Sequence, residues 1–184
     1  VLDEADLPLR FVGYSPCFRR EVGSYGKDTR GIYRIHEFFK IEQFIICKND
    51  YAESEKLHQE LLANSETILQ DMKIPYRVIQ ICTGDMGAGK YKMFDIESWM
   101  PSRGKYGETH SCSNLGEWQA RRLNIRYKTK SGVIQYVHTL NNTAIATSRA
   151  LVAIMENHQN KDGSINIPKV LRPYMHNKKI IGER

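Results

Sequence analysis

The chain has 184 residues, 41% of them hydrophobic and 26% charged, with a formal net charge of +6. That length supports one domain with its own core, and the composition excludes both a disordered chain and a membrane-like one. The charge permits an anionic partner such as a nucleotide or nucleic acid without requiring one.

The longest purely apolar run, ALVAIM at 150–155, is far too short to span a bilayer, so no membrane partner is expected. The first residue is Val1, so a missing targeting segment carries no weight. Cys17, Cys47, Cys82 and Cys112 stand singly, which suggests free thiols in a reducing cytosol and a cytoplasmic location. His110 and Cys112 lie close together, but no second such pair stands nearby to complete a zinc site.

In chain order, residues 9–22 and 32–47 read as an antiparallel pair rich in Phe, Tyr, Ile and Val, joined by a charged, glycine-containing loop. Residues 52–72 put Leu57, Leu61, Ile68 and Met72 on one helical stripe, which Lys73 and Pro75 end. A short strand follows at 76–82, and 91–100 alternates Phe94 and Ile96 against Asp95 and Glu97. Residues 101–107 read as a loop and 108–114 as a further strand. Residues 125–140 form a hairpin turning at Ser131-Gly132. The strongest helix signal covers 141–159, with Leu151, Ile154 and Met155 on its buried side. Strands outnumber crossover helices, so the expected class is α+β: one antiparallel sheet with helices packed on it.

One motif tempts and fails. GDMGAGK at 84–90 matches the opening of a phosphate-binding loop, G-x-x-x-x-G-K. The next residue, Tyr91, lacks the small hydroxyl that would hold Mg²⁺, and the period-two pattern after it offers no helix N-terminus to the anion.

The charge distribution is more telling. Arg19 and Glu21 share one strand face, as do Arg34, His36, Phe38, Lys40 and Glu42 on the returning strand. Arginine forks grip phosphate oxygens and Phe38 offers a stacking surface, which suits a ligand with phosphates and a flat ring. A solvated strand face bridged by ion pairs would carry the same residues. Asp95, Glu97, Glu108 and Ser111 could serve a hard divalent cation. Arg149, in an otherwise apolar helix, reads either as snorkelling to solvent or as reaching over the sheet to a phosphate.

In this order, these pieces resemble motif 2, the metal-binding strand and motif 3 of class II aminoacyl-tRNA synthetases. The segments FRREVGSYGKDTRGIYRIHEFFKIEQF, CTGDMGAGKYKMFDIESWMPSRGKYGETHSCSN, QARRLNIRY and TLNNTAIATSRALVAIMENHQ narrow the resemblance to the seryl-tRNA synthetase group. It runs from about Leu7 to Met175.

The resemblance implies the class II catalytic fold, here partial. It also implies ATP-dependent activation of L-serine to seryl-adenylate and transfer to tRNA(Ser), with Mg²⁺ as the metal. Arg19 and Arg149 would be catalytic, Arg19 holding the α-phosphate and the serine carboxylate. The ATP site would comprise Arg19, Arg20, Glu21, Arg34, Ile35, Phe38, Glu108, Thr109, His110, Ser111 and Arg149. Glu21 would meet the adenine amino group, Ile35 would lie beside the adenine, and Phe38 would stack on it. Glu108 and Ser111 would bind the metal. Serine would meet Arg19, Glu42, Asn141 and Thr143, and tRNA would meet Lys27 and Arg30.

The family's N-terminal tRNA-binding helical arm, its motif 1 and its Thr-x-Glu-type loop have no counterpart here. Residues 1–184 are therefore expected to be a catalytic domain incomplete at its N-terminus. Taken alone they would be inactive or poorly soluble, within a full-length protein that forms a homodimer. A non-catalytic relative that keeps the fold as a nucleotide- or RNA-binding module is the rival reading. Degenerate motif arginines or metal carboxylates would support it, and the sequence contains none.

Overall fold

The computed structural model describes residues 1–21 and 31–182. Ten strands and three α-helices need naming. They are β1 (Leu2–Asp3), β2 (Leu9–Phe18), β3 (Glu37–Cys47), α1 (Tyr51–Asp71), β4 (Tyr76–Gln80), β5 (Lys92–Met100) and β6 (Lys105–Asn114). After them come α2 (Trp118–Leu123), β7 (Arg126–Lys128), β8 (Ile134–Tyr136), β9 (His138–Ala146), α3 (Thr147–His158) and β10 (Ile165–Asn166).

The main sheet has six strands in the order β2-β3-β9-β6-β5-β4, and every neighbouring pair is antiparallel. Helix α1 starts where Asp50 accepts from the amides of Ala52 and Glu53, at 2.7 and 3.0 Å, a cap that contributes about 1 kcal/mol. Its stripe of Leu57, Leu61, Leu62 and Leu69 packs on the sheet with Ile45, Cys47, Ile96 and Leu140. Ala153 of α3 joins the same cluster, so both long helices cover one face. The helix ends as Lys73 turns left-handed (φ 56°) and Ile74 N–H donates to Leu69 O at 3.0 Å.

The opposite face is only partly covered. Ile46 points away from its neighbours Ile45 and Cys47, because strand side chains alternate. It packs beside a second cluster of Leu7, Ala120, Tyr127 and Val137. That cluster draws on α2 and the small sheet β1-β7-β8. Beyond this cover the sheet face lies open, and the polar residues gather there.

Several sequence expectations need correction. The helix read over 141–159 begins only at Thr147, and 138–146 is strand β9. Asn142, near the expected start of that helix, is fully buried mid-sheet, accepting from Gln43 Nε2 at 2.7 Å and Ser65 Oγ at 2.6 Å. Leu151 and Met155 are exposed, while Ser148, Ala150 and Ala153 are buried; small residues let α3 sit close to the sheet. Strand β2 stops at Phe18 and β3 starts at Glu37, so Arg34 and His36 stand before the strand. Strand β4 ends at Gln80, and β6 already includes residues 105–107 of the expected loop. The hairpin at Ser131-Gly132 does form, with Gly132 at φ 88°, but it pairs β7 with β8 in the small sheet. All four cysteines carry free thiols, and Cys112 and His110 are both buried.

Candidate active site

The open sheet face holds a cavity lined by residues far apart in sequence. Arg19, Glu21, Arg34, Ile35 and Phe38 come from the first hairpin, Glu108, Thr109, His110 and Ser111 from β6, and Thr143 and Arg149 from the chain around α3. Two features of the backbone bring the first group together. The ladder continues one step past β2, with Arg19 N–H donating to His36 O at 2.8 Å. The guanidinium of Arg19 then lies over Phe38, 5.2 Å from the ring centroid. Glu21 sits at φ 52°, and its carboxylate accepts from Arg34 Nε at 2.5 Å.

A register shift between Ile41 and Glu42 brings Glu42 opposite Thr143 on β9. The two Glu42 oxygens are then matched one to one. Asn141 Nδ2 donates to Oε1 at 2.8 Å, and Thr143 Oγ1 donates to Oε2 at 3.2 Å. Lys40 Nζ lies 2.7 Å from Oε2. Glu42 and Asn141 do not line the cavity themselves, but Thr143 does, so this polar cluster abuts it.

Arg149 stands in the first turn of α3, not midway along a helix as its sequence setting suggested. Its Nη1 donates to Glu108 O at 2.9 Å and lies 3.2 Å from Glu108 Oε2. Arg149 therefore reaches over the sheet to the interior strand β6, and the snorkelling alternative falls away. Thr109 and His110 line the cavity with side chains only 3% and 2% exposed, so they form wall rather than free contacts. Their side chains meet each other, Nδ1 to Oγ1 at 2.8 Å. Burial pushes the His110 imidazole down to about 4 and keeps it neutral. Arg20 is exposed and does not line the cavity. Lys27 and Arg30 lie outside the described residues.

The sequence reading missed Tyr33, Ala146 and Ser148 as lining residues, and named Asp95 only as one of four residues that could serve a divalent cation. Asp95 lies across the ladder from Ser111, with its buried Oδ1 lacking any hydrogen-bond partner. Burial, and then the Glu108 carboxylate, push its acid group up to about 6. A buried carboxylate oxygen without a partner beside Glu108 and Ser111 suits a nearby cation. Among the described residues no group of three or more His, Cys, Asp or Glu side chains could hold a metal alone.

The phosphate-loop fragment stands apart. Gly89 (φ 85°) packs where any Cβ would meet the Trp118 ring at 2.2 Å, Lys90 Nζ lies 3.1 Å from Met93 Sδ, and strand β5 follows.

Residues 1–158 match the tRNA synthetase class II core domain (G, H, P, S and T). The chain belongs to this class II synthetase family. It is 54% identical over 182 residues, 99% of its length, to the serine–tRNA ligase of Deinococcus radiodurans, and covers 43% of that protein. With the serine–tRNA ligase of Dictyoglomus thermophilum the identity is 57% over 175 residues, or 95% of this chain and 41% of the relative. The whole chain superposes on the crystal structure of seryl-tRNA synthetase from Pyrococcus horikoshii complexed with ATP. The TM-score is 0.95 at 53% identity, over 41% of that chain. It also superposes on the cytoplasmic serine–tRNA ligase of Naegleria fowleri in complex with AMP, with a TM-score of 0.92 at 42% identity, over 43% of that chain. The chain thus spans about two-fifths of the length of the relatives it matches. The antiparallel sheet with its flanking helices is the class II catalytic fold. Among the described residues, no helix is long and apolar enough to cross a membrane.

Proposed function

We propose that the protein carrying this chain is a serine–tRNA ligase. Its substrates are L-serine, ATP and tRNA(Ser), and residues 1–184 form part of its catalytic domain. The observation that carries this reading is the adjacency of two subsites: an arginine-lined cavity with an aromatic floor, and the Glu42 carboxylate held by Asn141 and Thr143.

In the first step the serine carboxylate attacks the α-phosphorus, pyrophosphate leaves, and seryl-adenylate forms. Negative charge grows on the phosphate oxygens in the transition state, so positioned cations accelerate the reaction without a nucleophilic side chain. Arg19 serves the α-phosphate and the serine carboxylate, with Phe38 stacking on the adenine beside Ile35 and Glu21 reading its amino group. Arg34 and Arg149 hold the outer phosphates. Glu108 and Ser111 would hold Mg²⁺, which neutralises phosphate charge when bound.

Glu42 and Thr143 face the substrate hydroxyl and ammonium. Alanine lacks the hydroxyl that would join this polar cluster and would therefore be disfavoured. In the second step a hydroxyl at the 3′ end of the tRNA attacks the seryl carbonyl and AMP leaves. Lys27 and Arg30 would meet tRNA phosphates, which makes binding salt-dependent.

The edge strand β2 exposes Phe11, Val12, Tyr14 and Phe18, which fits burial by further protein in a homodimer. The enzyme would work in the cytoplasm. ATP–pyrophosphate exchange by the full-length protein with serine, threonine and alanine tests the assignment. Exchange with serine alone supports it, and absence of serine-dependent exchange overturns it in favour of a non-catalytic binding module.

A further inference from the structure

Tyr33 joins three parts of the site that are remote in sequence. Its hydroxyl donates to Glu108 O at 2.9 Å. Two guanidinium groups approach its ring, Arg149 at 4.8 Å and Arg103 at 4.6 Å from the centroid. The arrangement depends on Gly107, where a Cβ would come within 2.8 Å of the Tyr33 hydroxyl. Residue 107 must therefore stay small for the ring to reach the strand that carries Glu108. Arg149 Nη1 donates to the same carbonyl oxygen, at 2.9 Å.

We propose that Tyr33 is a positioning residue for ATP: its ring and hydroxyl hold Arg149 and the Glu108 peptide in the one arrangement that receives the outer phosphates. The inference rests on the proposed function and goes beyond it, because Tyr33 acts through its neighbours and needs no contact with substrate. The physical grounds are threefold. The electron-rich ring face attracts the two guanidinium groups and offsets their mutual repulsion. A planar fork held in place loses less freedom when it grips a phosphate. The side chain of Arg149 is only 17% exposed, so the ring is a substantial part of its surroundings.

The test uses the full-length protein with Tyr33→Leu and Tyr33→Phe, measuring dissociation constants for ATP and AMP and the KM for serine. Tyr33→Leu is expected to weaken ATP about tenfold, the scale of a lost cation–ring contact in a partly buried site. AMP, which lacks the outer phosphates, and serine should change by less than about twofold on the same argument. Tyr33→Phe keeps the ring and should retain ATP affinity within about threefold, the scale of one neutral hydrogen bond. If Tyr33→Leu melts earlier than wild type, Tyr33→Met, of similar bulk without a ring, replaces it with the same expectation. A folded ringless variant with unchanged ATP affinity, or one in which ATP, AMP and serine weaken equally, overturns the inference alone. A wild-type protein that binds no ATP overturns the proposed function with it.

Discussion

Arg149 holds Glu108 at two points, donating to its backbone oxygen at 2.9 Å and approaching its carboxylate at 3.2 Å. A residue from the start of α3 is thereby tied to the strand that would carry the metal. In the ligand-free state each partner satisfies the other. A triphosphate with Mg²⁺ would take over from the carboxylate contact with stronger charge-assisted ones, while the contact to the Glu108 carbonyl keeps the arginine in place.

Loss of either principal arginine should therefore be felt in the chemical step. Arg19→Ala and Arg149→Ala are each expected to lower kcat for pyrophosphate exchange about 10²-fold or more, by analogy with deleting one transition-state donor. Arg149→Lys keeps the charge without the fork and should fall between. Wild-type turnover in Arg19→Ala would remove that residue from the mechanism.

Glu42 supplies a separate prediction because its partners are known. Glu42→Gln keeps the shape but places a donor where Asn141 or Thr143 already donates. The KM for serine should rise at least about tenfold, as expected when a buried polar contact to substrate is mismatched. The KM for ATP should hardly move. A parallel rise in both constants would mean that Glu42 supports the sheet rather than the amino acid.

Buried histidines set an acid limit on stability. His110, His58 and His138 are all held below the ordinary imidazole value, chiefly by burial, His110 at about 4. Between that value and about 6.5 these histidines bind more protons in the unfolded chain than in the native state, so their contribution to stability falls as pH falls through this window, opposed in part by Asp95, whose raised value acts the other way. His110 alone contributes on the order of 3 kcal/mol across it. Denaturant unfolding of the full-length protein at pH 7 and pH 5 checks this, with His110→Asn expected to show the smaller loss. Equal losses in both would refute the assignment.

The glycine loop is predicted to be structural. Gly89→Ala should destabilise by more than about 2 kcal/mol, because it combines a left-handed backbone with a clash against Trp118. Lys90→Ala should leave ATP binding intact. If Lys90→Ala instead abolished nucleotide binding, the phosphate-loop reading would return.

Much of the site was visible in the sequence because arginine, phenylalanine and carboxylate do jobs that an apolar core does not require. Arg19, Glu21, Arg34 and Phe38 do share a cavity with Glu108 and Ser111. Periodicity was less reliable where burial is two-sided. Residues 141–146 carry two asparagines and two alanines, which read as a helix start, yet a central strand buries Asn142 with Gln43 and Ser65 as partners. Leu151 and Met155 looked like a buried stripe, but α3 packs through Ala150 and Ala153 instead. Tyr33 gave no local signal at all. Its role depends on Arg103, Gly107 and Arg149, which only the folded sheet brings to one ring.

The most direct test is a crystal structure of the full-length protein with a non-hydrolysable ATP analogue, Mg²⁺ and serine. The triphosphate should lie on the open sheet face with Arg19 and Arg149 on its oxygens, the adenine on Phe38 and the serine hydroxyl at Glu42. A nucleotide bound elsewhere, with those guanidinium groups turned to solvent, would contradict the account.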